Sequence, residues 1–559
     1  MTEQAQSLDR PHDAPAELAG HGGLLAAATL ARLGIDTLFT LSGGHLFPLY
    51  DGWVKEGLRL IDVRHEQSAV FAAEAWAKVT RRPGVAALTA GPGVTNGISA
   101  ITTARFTGSP ILVLGGRAPA ARWGQGSLQE LDHVPLVASV CKVARTCAQT
   151  SEIPEELTRA LRAACSPHRG PCFVDFPLDV IFGQARASLP AGAEAIASAP
   201  AEPDAEVVRA VGELLAAAER PVLMAGADAY WEGAEEELRR LSEEVGCPVF
   251  LNGLGRGLMP ADHPHVFSRA RGAAFKGADL VIVVGTPLDF RLAFGRFGSA
   301  RVVHVADHPE RVAEHVELAA GLGGSLPLAL AGIREACLAR CAPATGPWLE
   351  RLRAEEAARR RQEQAALESD ADPIHPARLY GELRARLDRD AIVIGDGGDF
   401  VSWAGKLIDT YTPGSFLDPG PYGCLGTGPG YALGAKLARP DRQVVLLLGD
   451  GAAGFSLGDL DTLARFELPV VVIVGNNGCW GLEKHPMKQL FGYHVAAELS
   501  TATRYDRVAS ALGGAGERVV RAGEIGAALD RALDSTGGPY LVEVMTDPEL
   551  AYPRSSNLA

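Results

Sequence analysis

Short apolar runs alternate with longer amphipathic stretches along the whole chain. VVLLLG at 444–449 and PVVVIVG at 469–475 are apolar without interruption, the pattern of strands covered on both faces in a parallel sheet. Both fall far short of the roughly 20 residues needed to span a bilayer. Between such runs lie segments rich in Ala, Leu, Arg and Glu at helical spacing, so the building unit is strand, turn, helix, strand. Two stretches break the rhythm: ARASLPAGAEAIASAPAEPDAE at 185–206, rich in Ala and Pro, and the charged RLRAEEAARRRQEQAALESDADP at 351–373. Read as linkers, they divide the chain into three α/β domains with doubly wound parallel sheets, 1–184, 205–345 and 374–550, and a tail at 551–559.

Residues 85–116 and 444–478 run through the same sequence of events: strand, glycine turn, helix ending in ARF, proline and strand. Either two doubly wound domains merely share this rhythm, or one fold is duplicated and a ligand is held between the copies.

Composition narrows the class. Hydrophobic residues make up 47%, charged residues 21%, and the net charge is -14, with no Lys/Arg cluster of the kind a nucleic-acid face requires. The nine cysteines form no CxxC pair and no Cys/His group at zinc spacing, which fits a reduced cytoplasmic chain. The opening MTEQAQSLDRPHDAPAELAG lacks the basic and apolar stretches of a signal peptide, so no export is expected.

The chemistry concentrates at strand ends. The run VVLLL delivers Gly449, Asp450 and Gly451; the run VVVIV delivers Asn476, Asn477 and Gly478. Parallel strands of one sheet end on the same edge, where such folds bind ligands, so Asp450 and Asn477 converge. A carboxylate and an amide oxygen are hard donors suited to Mg²⁺. Gly449, Gly451, Ala452 and Ala453 leave backbone N–H groups accessible to phosphate oxygens at a helix start. A lone GDG most often just makes a turn. Followed by NNG with Asn477 27 positions after Asp450, it is far more specific.

This pairing resembles the thiamine-diphosphate motif, which opens on GDG and closes on NN. The resemblance implies three domains of the thiamine-diphosphate enzyme type: pyrimidine-binding, central and diphosphate-binding. It also implies Mg²⁺ held by Asp450, Asn477 and the Cys479 carbonyl. RHEQSAVFAAEAWAKVTRRPGVAALTAGPGVTN at 64–96 resembles the pyrimidine-binding domain of the acetolactate synthase and oxalyl-CoA decarboxylase group. By that match Glu66 bonds the pyrimidine nitrogen and activates the cofactor, and Gly91, Pro92 and Gly93 form the turn beside it. PGPYGCLGTGPGYALGAK at 419–436 looks like the element that bends the cofactor, with Leu425 between its rings and Gly423 beside the pyrimidine. Asp399, Phe400 and Trp480 are assigned to the cofactor on the same basis. The family places the first domain of one subunit against the third of another, which implies a homodimer or homotetramer.

Four features bear on the reaction. No adjacent His-His pair occurs in the first part, which disfavours a pyruvate-decarboxylase type. GQGSLQELDHVPLVASVCKVA at 124–144 resembles the loop of acetolactate synthases and 2-hydroxyacyl-CoA lyases, with Gln129 as the active-site glutamine; oxalyl-CoA decarboxylases carry Tyr-Glu where this chain has Leu128 and Gln129. Residues 253–290 look like a central domain that holds ADP and flanks CoA, with Arg271 and Arg256 for phosphates and Asp307 for a ribose. Acetolactate synthases hold FAD there and other relatives hold nothing, and Gly226 and Ala227 replace a glycine-lysine feature of the decarboxylases. Finally, Leu482 and Glu483 occupy the positions that face the reacting carbon. Glu483 is either an acid–base group or one half of a solvated pair with Lys484.

Together these identify the chain with the 2-hydroxyacyl-CoA lyases, most like the actinobacterial 2-hydroxyisobutyryl-CoA lyases, which release formyl-CoA and an aldehyde or ketone. An acetolactate-synthase-like carboligase and a non-catalytic binding relative are the alternatives. Gly44, Phe47, Leu128 and Leu482 are expected around the substrate. His45 is either catalytic or structural. The tail with Arg554, Ser555 and Ser556 either closes over the site, as in CoA-using relatives, or frays.

Overall fold

The apolar runs form strands because β-branched and leucine side chains fill both faces of a pleated sheet. The computed structural model describes residues 16–341 and 343–552. The chain divides into two compact units, one of residues up to 77 with 82–199, the other of 78–81 with 200 onward.

The first unit holds a six-stranded sheet in the order Arg59–Asp62, Thr37–Thr40, Gly84–Leu88, Ile111–Arg117, Cys172–Pro177, Val143–Thr146. Every neighbouring pair is parallel. Strand order reverses between Thr37–Thr40 and Gly84–Leu88, and the crevice beyond such a reversal is where doubly wound folds take ligands. The loops there carry Gly44, His45 and the turn at Gly91. The expected linker at 185–206 begins instead as a strand, Gln184–Leu189, paired antiparallel with Ala16–His21.

The second unit holds two sheets. One runs Val249–Leu251, Pro221–Ala225, Leu280–Val284, Arg301–Ala306, Ala320–Gly323. The other runs Phe416–Leu417, Ile392–Asp396, Val444–Gly449, Val471–Asn476, Tyr540–Met545, Ala515–Val519. Numbered within its own sheet, this last order is 2-1-3-4-6-5, the same as in the first unit. The two sequence segments that echo each other supply strands three and four of each, so the likeness is one of topology. The middle sheet, 2-1-3-4-5, shares only the first part of it.

The second expected linker is also structured. Residues 351–373 belong mostly to the helix Gly346–Leu367, whose Trp348, Leu349 and Leu352 enter the core of the middle sheet and whose Leu367 enters that of the last. Its charges are used. Glu356 accepts the backbone N–H groups of Ser268, Arg269 and Ala270 at 2.8–3.2 Å, and Asp409 takes Arg269 at 2.6 Å and Arg360 at 2.9 Å. These guanidinium groups hold the Asp409 carboxyl at about 2 against the opposing effect of its burial.

Candidate cofactor site

In the last sheet Gly449 pairs with Gly475, so Asp450 and Asn477 leave the same edge within one residue of each other in register. Asp450 opens the helix Asp450–Ser456 and is 3% exposed. Burial pushes its carboxyl up to about 6, partly offset by the N–H groups of Gly451 and Gly478. Its Oδ2 has no hydrogen-bond partner among the described residues. A buried carboxylate oxygen without a donor is costly, and a cation is what such an oxygen fits. Asn477 lies beside it, its Oδ1 accepting the Cys479 N–H at 3.2 Å, and Cys479 is itself buried. Magnesium therefore suits the donor set of Asp450, Asn477 and the Cys479 backbone.

The bracing of this edge was not anticipated from sequence. Asn476 donates to Glu543 at 2.8 Å and accepts the Gly478 N–H at 3.1 Å, which fixes the turn that presents Asn477. The Tyr505 hydroxyl donates to the Asp450 carbonyl at 3.1 Å. Gly451 cannot be larger, because a Cβ there would lie 2.4 Å from the Trp480 ring. Ala452 and Ala453 are buried under the same turn.

The loop with Gly423 and Leu425 is held by Asp396, a wholly buried carboxylate that accepts the N–H groups of Gly426 at 3.1 Å and Gly428 at 2.8 Å. Gly423 stands at φ +69° in open space and Leu425 is half-buried. Phe400, expected at the cofactor, packs its ring in the core: a Cβ on Gly475 would lie 2.2 Å from it. Asp399 accepts the backbone N–H of Tyr552 at 2.8 Å, and the Tyr552 ring meets Trp403 edge-on at 5.2 Å. The tail thus reaches this edge as far as Tyr552; Arg554, Ser555 and Ser556 lie outside the described residues.

Glu483 sits in the first turn of the helix Gly481–Phe491, next to Leu482, which packs on Gly398. The solvated pair with Lys484 does not form. Lys484 turns to Glu549 at 3.2 Å and Glu498 at 3.4 Å. The Glu483 carboxylate is exposed in the single chain and left without a side-chain partner among the described residues, and desolvation by the neighbouring atoms raises it above the ordinary glutamate value.

In the first unit Glu66 opens the helix Glu66–Thr80 and is 8% exposed. Asn96, inside the GPGVTN segment, donates to its Oε2 at 3.0 Å. Gly91 stands at φ +59°, ψ -110°, a conformation that needs glycine, and Pro92 and Gly93 start the helix Pro92–Thr107. Gly91 abuts Gln129, which itself has φ +59°. His45 is buried, 3.4 Å from Thr89 Oγ1, and its imidazole is pushed down first by burial and then by His133. Gly44, Phe47 and Leu128 are exposed within the single chain.

Comparison with known proteins decides the family. "Thiamine pyrophosphate enzyme, N-terminal TPP binding domain" matches residues 21–136, the corresponding central domain matches 208–333, and the C-terminal TPP binding domain matches 396–544. "Acetolactate synthase large subunit IlvG" of Mycobacterium tuberculosis is 53% identical over 545 residues, 96% of this chain and 98% of the relative. The chain belongs to the thiamine pyrophosphate enzyme family. "2-hydroxyacyl-CoA lyase 2" of Caenorhabditis elegans is 35% identical, covering 89% of this chain and 84% of that protein; the Homo sapiens protein of the same name is also 35% identical, at 90% and 86%. This thiamine pyrophosphate enzyme is thus of the carbon–carbon lyase or ligase type.

In the central domain of the enzyme, Arg271 opens the helix Arg271–Gly277 and donates to the Arg291 carbonyl at 2.7 Å; Asp307 is buried after the strand Arg301–Ala306. Arg256, expected at a phosphate, has another role. Its guanidinium donates to the carbonyls of Gly405, at 3.0 Å, and Ile408 at the end of the helix Asp399–Leu407, and lies over the Phe416 ring. Arg256→Met keeps the packing and leaves those carbonyls unpaired, so it is expected to cost roughly 1–3 kcal/mol in urea denaturation. No helix among the described residues is long and apolar enough to cross a membrane.

Proposed function

We propose that the enzyme cleaves the C1–C2 bond of short 2-hydroxyacyl-CoA esters, giving formyl-CoA and an aldehyde or ketone, such as acetone from 2-hydroxyisobutyryl-CoA. Asp450, Asn477 and the Cys479 carbonyl would hold Mg²⁺, with the backbone at Gly449, Gly451, Ala452 and Ala453 and the side chain of Trp480 around the diphosphate. Leu425 and Gly423, and the turn of Gly91, Pro92 and Gly93, would frame the rings. When bound, thiamine diphosphate supplies an acidic thiazolium carbon that acts as the nucleophile and electron sink. Glu66, steadied by Asn96, would hold a proton at the pyrimidine nitrogen. Gln129 would donate to a substrate oxygen, with Leu128, Leu482 and Phe47 around the alkyl group.

The observation that carries the lyase reading is Glu483. Among the described residues it is a carboxylate without a side-chain partner at the strand edge of Asp450 and Asn477, exposed in the single chain, and its raised pKa suits taking the 2-hydroxyl proton as C1–C2 breaks. Glu483→Ala is expected to lower cleavage by about 100-fold while thiamine diphosphate binds with unchanged affinity. The check is a panel of 2-hydroxyacyl-CoA esters with pyruvate as control, alongside a cofactor titration. Loss of cofactor binding would make Glu483 structural.

The same reading gives a cytoplasmic homodimer or homotetramer with sites at the subunit interface. It also places CoA, or an ADP, near Arg271 and Asp307. A second reading, joining of two 2-keto acids, is favoured by the name of the 53% identical relative. Acetolactate formed from pyruvate would decide for it.

A further inference from the structure

His133 and Asp175 are both wholly buried, and the functions above use neither. The Gly91 N–H donates to His133 Nε2 at 2.9 Å, which places the ring proton on Nδ1. From there it meets Asp175 Oδ2 at 2.9 Å. Arg117 bonds the same carboxylate oxygen at 3.1 Å and Asp132 at 3.0 Å, so the charge behind the imidazole is fixed on two sides. The bond at Gly91 therefore ties together two segments 42 residues apart.

Each tied segment is in an unusual conformation. Gly91 has φ +59°, and a Cβ on it would come 3.0 Å from Gln129 Cβ and 3.1 Å from the Gln129 carbonyl. Gln129 has φ +59° without being glycine, a conformation that persists only where surroundings over-determine it. Glu130 closes its loop by accepting the N–H groups of Gly124 at 2.9 Å and Ser127 at 3.3 Å. His133 is the next anchor along the chain.

We propose that His133, backed by Asp175, is a positioning residue that locks the Gly91 turn against Gln129. The proposal rests on the reading that Gly91 and Gln129 line the thiamine-diphosphate site. Glutamine and asparagine separate its two bonds: the amide of Gln reaches the place of Nε2, and that of Asn the place of Nδ1. In cofactor-free protein, His133→Asn is expected to speed hydrogen exchange at the Gly91 amide about tenfold, and His133→Gln to leave it near wild type. In the loaded enzyme, His133→Asn should lower kcat by about 100-fold with little change in KM, and His133→Gln should restore most of it. Asp175→Asn keeps an acceptor for Nδ1 and should move both readouts in the direction of His133→Asn, more weakly. Thermal melting of all three reports folding. Equal behaviour of the Asn and Gln variants, or wild-type exchange and kcat in both His133→Asn and Asp175→Asn, overturns the proposal. Glu66→Gln is the control: full activity there sinks the reading of the site, whereas inactivity there with an active His133→Asn sinks only the positioning role.

Discussion

Glu66→Gln is expected to reduce turnover by about 1,000-fold without loss of fold or cofactor. Gln has the shape of Glu and still offers an oxygen to the Asn96 amide, which now sits 3.0 Å from Glu66 Oε2. What it cannot do is share a proton with a ring nitrogen on the carboxylate's terms. The residue lies at a helix start, 8% exposed, so exchanging a charge for an amide there removes chemistry more than packing. Cofactor titration and turnover of the same preparation check this, and an active Glu66→Gln enzyme would remove the carboxylate from the mechanism.

Asp450→Asn is expected to act on binding. The carboxylate is buried with one oxygen lacking a donor among the described residues, an arrangement that costs stability until a cation arrives. An amide removes that cost and the cation's charged ligand together. The cofactor-free variant should therefore melt no lower than the wild type, while its affinity for thiamine diphosphate with Mg²⁺ should fall by at least about 100-fold. Thermal melts with and without cofactor and metal measure both effects. A variant that melts lower alone and binds as before would mean that Asp450 serves packing.

Glu66 was singled out by its resemblance to a family motif, whereas the strand that leads to Asp450 was legible in the sequence because uninterrupted runs such as VVLLLG mark strands clearly. The three sheets were legible for the same reason. What escaped is held together by partners distant in the chain. The Gln184–Leu189 strand looks like an Ala-rich linker until Ala16–His21 pairs with it. The charged run at 351–373 looks solvated until Arg269 and Asp409 supply partners for its helix. His133, Asp175 and Asp396 were not singled out, since nothing local shows that His133 and Asp396 each accept backbone N–H groups of a glycine-bearing turn or that Asp175 backs His133. Arg256 was assigned to a phosphate because guanidinium groups suit phosphates, yet carbonyls at a helix end suit them as well. Lys484 next to Glu483 suggested a pair by adjacency alone, whereas neighbouring helix positions point apart.

The most direct test offers the purified enzyme, with thiamine diphosphate and Mg²⁺, 2-hydroxyisobutyryl-CoA and pyruvate as competing substrates. The account predicts formyl-CoA and acetone in equal amounts, with kcat/KM for the thioester at least about 100-fold above that for pyruvate, a preference of about 2.7 kcal/mol in transition-state binding. Acetolactate accumulating while the thioester stays intact would contradict it.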